Sequence, residues 1–265
     1  MRTSVFAAVL GAGLVSAQTL SSGCQQTLAE IAASSEYDCL NAGALASLAI
    51  GGSNTSVVDP INNWLSGLCS QAACSNDTIS NAVSNVTSGC SSDLSNAGFS
   101  LPSDALSSVI GIVQQVYPVA RQALCLKDTS ASTNCITQTL TNIQNTYGPL
   151  TISSIPSVAS TLAGSLSALP ANITCTDCNK QILNIANTAY PDVMKGIMGE
   201  ASQLCGADFT NGAAATDIQE TASNATASSS SKSTSAAFPL ASLGKAGGAA
   251  LSGLLAVSVA FAFMA

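Results

Sequence analysis

The side chains of this chain that could do chemistry are carboxylates and cysteines. Asp59, Asp93, Asp104, Asp128, Asp177, Asp192, Asp208 and Glu200 are the acidic candidates. Two of them converging on a cleft could hydrolyse a glycoside, one as acid and one as base or nucleophile. Asp104, Asp177 and Asp192 instead stand in cap-like positions, where negative charge suits a helix N-terminus. One Trp and four Tyr leave few platforms for sugar rings. There is no histidine, which removes the usual base near neutral pH, the Ser-His-Asp and Cys-His arrangements and the commonest zinc ligands. Neither G-x-S-x-G nor G-x-x-x-x-G-K-[ST] occurs. These absences predict a protein without catalysis, cofactor or metal.

Ten cysteines lie between Cys24 and Cys205: Cys24, Cys39, Cys69, Cys74, Cys90, Cys125, Cys135, Cys175, Cys178 and Cys205. Cys175-Thr-Asp-Cys178 has the C-x-x-C form of a redox dithiol, but the βαβ pattern that accompanies such sites is not visible. An even number in an exported chain predicts five disulfides. The close pairs Cys69/Cys74, Cys125/Cys135, Cys175/Cys178 and Cys24/Cys39 suggest local loops, with Cys90 and Cys205 closing the domain across its length.

The elements that carry these residues read as helices. In 103–126, Val109, Ile110, Ile112, Val113, Val116, Tyr117, Ala120 and Leu124 fall on one helical face. Ser103 is its expected N-cap, and Pro118 should kink or interrupt it. Segments 155–169 and 191–205 repeat the periodicity, the first ended by Pro170 and the second begun by Pro191. Similar spacing follows Cys74, Cys135 and Cys178, as if a disulfide loop fed an amphipathic helix each time, though any buried helix has this spacing. Trp64 is expected to plug the core with its indole N–H on a backbone carbonyl, and Met194 and Met198 to fill core space. Strand signals are scarce and aromatic content is 4%. The expected fold is all-α, a small disulfide-stapled bundle of seven to nine helices with a disordered Ser/Thr-rich C-terminal stalk.

The ends read as sorting signals. Residues 1–17, with Arg2, an apolar run from Val5 to Val15 and Val15-Ser16-Ala17, fit a cleavable signal peptide. Residues 18–209 form the cysteine-rich domain. Residues 210–237, rich in Ala, Ser and Thr, bury too little to order themselves and are expected to be an extended, O-glycosylated stalk. Residues 238–265 include an uncharged apolar run from Ala249 that fits a glycosylphosphatidylinositol (GPI) attachment signal. Ser235 is the favoured lipidation site, with Gly244 and Asn224 as alternatives. Asn54, Asn76, Asn85, Asn172 and Asn224 open N-glycosylation sequons.

Charge supports an extracellular surface. The net charge is −7 and only 8% of residues are charged. Within 18–212 the basic residues are Arg121, Lys127, Lys180 and Lys195, too few and too scattered for nucleic acid or anionic headgroups.

With its signal segment, ten cysteines, sequons, stalk and apolar tail, the chain resembles fungal GPI-anchored cell-surface and cell-wall glycoproteins. Around Cys175-Thr-Asp-Cys178-Asn-Lys-Gln-Ile182 the domain resembles an uncharacterised secreted fungal family. The resemblance implies an extracellular location, a partner in the outer membrane leaflet through the anchor, contact with cell-wall polysaccharide, and a structural, adhesive or masking role. Two alternatives stand beside it: a helical carrier of a small apolar ligand such as a sterol or fatty acid, and a cell-wall hydrolase using paired carboxylates. The carrier requires an apolar cavity between helices 103–126 and 176–205.

Overall fold

The computed structural model describes residues 20–45, 54–96, 105–155, 157–158 and 170–223. Residues 1–17, Ser103, Asp104, most of the helix expected over 155–169, Asn224, Ser235 and Gly244 lie outside the described residues.

The fold is mostly helical. Helices α1 (Ser22–Ala33), α2 (Val58–Ser70), α3 (Asn76–Gly89), α4 (Ser91–Asn96) and α5 (Leu106–Leu124) precede a short hairpin, β1 (Leu126–Asp128) and β2 (Thr133–Asn134). Then follow α6 (Cys135–Tyr147), α7 (Ala171–Thr174), α8 (Asp177–Ala189), α9 (Pro191–Cys205) and β3 (Ile218–Glu220). Polar residues set four of the helix starts. Ser21 Oγ accepts from Cys24 N (3.3 Å), Ser75 Oγ from Thr78 N (3.1 Å), Asn134 Oδ1 from Ile136 N (2.8 Å) and Thr176 Oγ1 from Asn179 N (3.3 Å). Pro191 opens α9, and Gly206 at φ +88° ends it.

The core sits between α2 and α6. Val57, Val58, Ile61 and Leu65 meet Leu140, Ile143, Leu150, Ile155 and Ile173, with Trp64 packed against the cluster. The Trp64 indole N–H donates to the Leu40 carbonyl at 2.8 Å, as expected of a tryptophan that plugs a core. Gly67 is required here, because a Cβ would stand 2.0 Å from Asn41 Nδ2, which itself donates to the Trp64 carbonyl. Met194 is buried and Met198 half-buried.

Five disulfides tie the helices together: Cys24–Cys90, Cys39–Cys74, Cys69–Cys125, Cys135–Cys178 and Cys175–Cys205. All ten cysteines are paired, but none of the sequence-local pairs forms. The bonds span 30 to 66 residues. The entropy of closing a loop grows only slowly with its length, so helix packing, not proximity along the chain, selects the partners. The idea of a disulfide loop feeding each helix falls with the local pairs.

Helix α5 departs from its expected form in two ways. It runs through Pro118 without interruption; Pro118 is exposed, so water can serve the carbonyl that the missing N–H leaves open. Its apolar face is only half-buried, and its one fully buried residue is Arg121.

The domain also extends further than 209. β3 pairs antiparallel with β1, Leu126 opposite Glu220 and Asp128 opposite Ile218, giving the sheet order β2-β1-β3. Asn184 Nδ2 donates to the Ala213 carbonyl (2.9 Å), and Ala215 N to Gln181 Oε1 (3.2 Å). Residues 211–223 are thus a strap on the helical body. Ile218 explains it: the side chain joins a cluster of Leu126, Cys135, Cys178 and Ile185, which a stretch dominated by Ala, Gly and Thr conceals.

Candidate functional site

An open depression of about 370 Å³ is lined by Asp128, Gln138, Asn142, Cys175, Thr176 and Asp177. Each element contributes for a local reason. Asp128 ends β1, where its Oδ1 accepts from Ser130 N (2.9 Å), Ser130 Oγ (2.6 Å) and Ala131 N (2.9 Å), closing the hairpin turn. Gln138 and Asn142 stand four apart on α6, one above the other, and Gln138 Nε2 donates to Asp128 Oδ2 at 2.8 Å. Thr176 and Asp177 begin α8, and Cys175 stands immediately before them with its Sγ 3.6 Å from Thr174 Oγ1.

Two of the candidate carboxylates, Asp128 and Asp177, therefore share one surface. Of the two, Asp128 is not set up as a general acid. Four hydrogen bonds hold Asp128 ionised, led by the Ser130 hydroxyl, the Ala131 N–H and the Gln138 amide, and its pKa falls to about 2. A general acid needs the opposite environment, one that raises its pKa. Asp177 lies in the first turn of α8, where the helix dipole favours negative charge. The depression offers carboxylate, amide and hydroxyl groups, a surface suited to hydrogen-bond donors and cations.

The other acids are dispersed. Asp59 and Asp192 occupy the first turns of α2 and α9, Asp208 a 3-10 turn, and Glu200 the exposed face of α9. Asp93 accepts from Ser21 N (2.9 Å) and Ser21 Oγ (2.6 Å), which hold its carboxyl below the usual range. It fastens the start of α1 to α4. Burial raises the Tyr190 phenol, whose hydroxyl donates to the Gln115 carbonyl (3.1 Å) and joins α5 to the α8–α9 turn. Among the described residues, no group of three or more His, Cys, Asp or Glu could hold a metal ion.

The C-x-x-C residues are split between two bonds, Cys175 to Cys205 and Cys178 to Cys135. They do not form a dithiol pair. The region between helices 103–126 and 176–205 contains Val119 and Ile182 packed on the Leu126, Cys135, Cys178, Ile185 cluster.

The sequon asparagines Asn54, Asn76, Asn85 and Asn172 are all exposed. Asn85 Nδ2 also donates to the buried Tyr37 hydroxyl at 2.9 Å. Among the described residues no helix is long and apolar enough to cross a membrane.

The missed lining residues are Gln138, Asn142 and Thr176. The i, i+4 amides of α6 were the available signal, but nothing in the sequence pairs α6 with the β1 turn. The chain matches no protein-family model, no curated protein and no solved structure.

Proposed function

We propose that this chain is a secreted, GPI-tethered surface glycoprotein without catalytic activity, whose cross-linked helical head stands on a Ser/Thr-rich stalk in a structural, adhesive or masking role. The observation that carries this reading is the pairing of all ten cysteines into five bonds between distant helices. Such a framework belongs to an oxidising compartment. Helices rich in Ala and Ser bury little area each, and bonds worth about 2 to 4 kcal/mol apiece decide whether such a domain persists outside the cell.

Further support comes from the surface. Four sequon asparagines face solvent, Asn54 in the turn before α2, Asn76 and Asn85 on α3 and Asn172 on α7, and attached glycans would keep an otherwise uncharged polar surface from associating. The strap carries the chain along the body as far as Ser223, from which the Ser/Thr-rich segment continues toward Ser235. The resemblance to fungal surface proteins implies an anchor in the outer leaflet with cell-wall polysaccharide within reach. Asp128 in the depression is held ionised, which weighs against its acting as the acid of a hydrolase, and the aliphatic packing around Ile185 weighs against a carrier.

The test is treatment of intact cells with phosphatidylinositol-specific phospholipase C. Release of the protein into the medium, with loss of peptides beyond the stalk, is expected. Retention on the cells together with an intact Ala249–Ala265 peptide would overturn the reading.

A further inference from the structure

We propose that the Cys175–Cys205 disulfide is a thiol-exchange site, open to small cationic thiols, on a body whose other four bonds each keep at least one half-cystine buried. In every other pair at least one half-cystine is buried: Cys24 and Cys90, Cys69 and Cys125, and Cys135 and Cys178 on both sides, and Cys74 opposite Cys39. Cys175 and Cys205 are both only half-buried. Cys175 also lines the depression, an approach path about 370 Å³ in volume that none of the other cysteines shares a wall of. Access to the attacked sulfur and the stability of the leaving thiolate set the rate of exchange. Thr174 Oγ1, which donates to the Pro170 carbonyl at 3.2 Å, lies 3.6 Å from Cys175 Sγ and would turn its proton to that sulfur as charge develops on it.

The electrostatics select the incoming thiol. Asp128 and Asp177 both line the approach, and Asp128 stays ionised throughout the neutral range. Carboxylates repel an anionic thiol such as glutathione and attract an ammonium-bearing thiol such as cysteamine.

An external thiolate attacks one sulfur of the pair, forming a mixed disulfide as the Cys175–Cys205 bond breaks. The displaced sulfur leaves as thiolate and takes a proton from water. A second external thiolate then attacks the mixed disulfide, releasing the oxidised external disulfide and leaving both cysteines reduced. Exchange stops there, because Cys178, three residues away, and its partner Cys135 are buried. Membrane tethering plays no part in this chemistry.

The experiment uses the full oxidised protein recovered from a secreting host, exposed to cysteamine or glutathione at equal thiolate concentration and sampled into iodoacetamide. Peptide mapping should show Cys175 and Cys205 modified about tenfold or more faster than any other cysteine, since the buried pairs wait on local opening. Cysteamine should act several-fold faster than glutathione at low salt, and the gap should narrow in molar salt and in Asp177→Asn. The double variant C175A/C205A should lack the fast phase. Another pair opening as fast as Cys175–Cys205, a fast phase surviving in C175A/C205A, or glutathione matching cysteamine at low salt would each overturn the assignment.

Discussion

The backbone N–H of Ser223 donates to the carbonyl of Cys69 at 2.8 Å, and two residues earlier Thr221 N donates to the carbonyl of Cys125 at 2.9 Å. Cys69 and Cys125 are themselves bonded. The strap therefore lies across a buried disulfide and grips both of its halves.

Deleting residues 211–223 should destabilise the head by about 3 kcal/mol, through lost hydrogen bonds near 1 kcal/mol each and the exposure of the cluster beneath Ile218. The denaturant midpoint measures this. An unchanged midpoint would mean that the strap is decoration and that the domain ends near residue 209.

Arg121 is buried in α5 and its Nη2 donates to the carbonyls of Leu68 (3.3 Å) and Gln71. A cation at the end of α2 meets both the free carbonyls and the negative pole of the helix. Its Nε is buried without a hydrogen-bond partner, so the guanidinium is held for its Nη2 contacts. Arg121→Ala should lower stability by about 2 to 4 kcal/mol, from the unpaired carbonyls and the cavity together. Arg121→Lys should recover part of it by keeping the charge. Urea unfolding of the two variants decides the matter.

Acid should weaken the hairpin. The carboxyl of Asp128 titrates near 2 in the folded protein against an ordinary value of 3.8. Its folded form releases the proton more readily than the unfolded chain, so the stabilisation is complete above about pH 4 and disappears as pH falls toward 2. Asp93 shifts the same way through Ser21 and adds to the loss. Asp128→Ala should be less stable at neutral pH and show a shallower decline between pH 4 and 2, followed by circular dichroism.

Two sequons call for different variants. Thr87 Oγ1 bonds only to carbonyls of its own helix, Val83 (2.8 Å) and Ser84 (3.1 Å), among its described contacts. Thr87→Ala should remove a glycan at Asn85 while leaving the Asn85–Tyr37 bond in place. Thr174 is buried, so Asn172→Gln is the cleaner choice at the other site. Each should reduce the mass by one glycan with a stability change within about 0.5 kcal/mol, the ordinary range for surface substitutions. Asn85→Gln, which loses the Tyr37 contact, should cost more than Thr87→Ala.

How much was legible in the sequence depended on how local the cause was. Helix α9 runs from Pro191 to Cys205 as its period and its first-turn proline require, and Trp64 finds its carbonyl. Both follow from neighbours along the chain. Cysteine pairing was hidden because it records which helices pack: Cys175 and Cys178 are three apart, yet they bond to α9 and α6. β3 was hidden because one isoleucine in a low-complexity stretch gives no pattern until β1 is beside it. Arg121 was hidden because nothing local announces that α2 ends against α5. The depression combines both kinds: the amides of α6 could be read, but their meeting with Asp128 could not.

A non-reducing peptide map of the protein taken from the cell surface tests the central claim most directly. Cross-links joining Cys24 to Cys90, Cys39 to Cys74, Cys69 to Cys125, Cys135 to Cys178 and Cys175 to Cys205 are predicted. Free thiols at these positions, or bonds between sequence neighbours, would contradict an exported, cross-linked helical head.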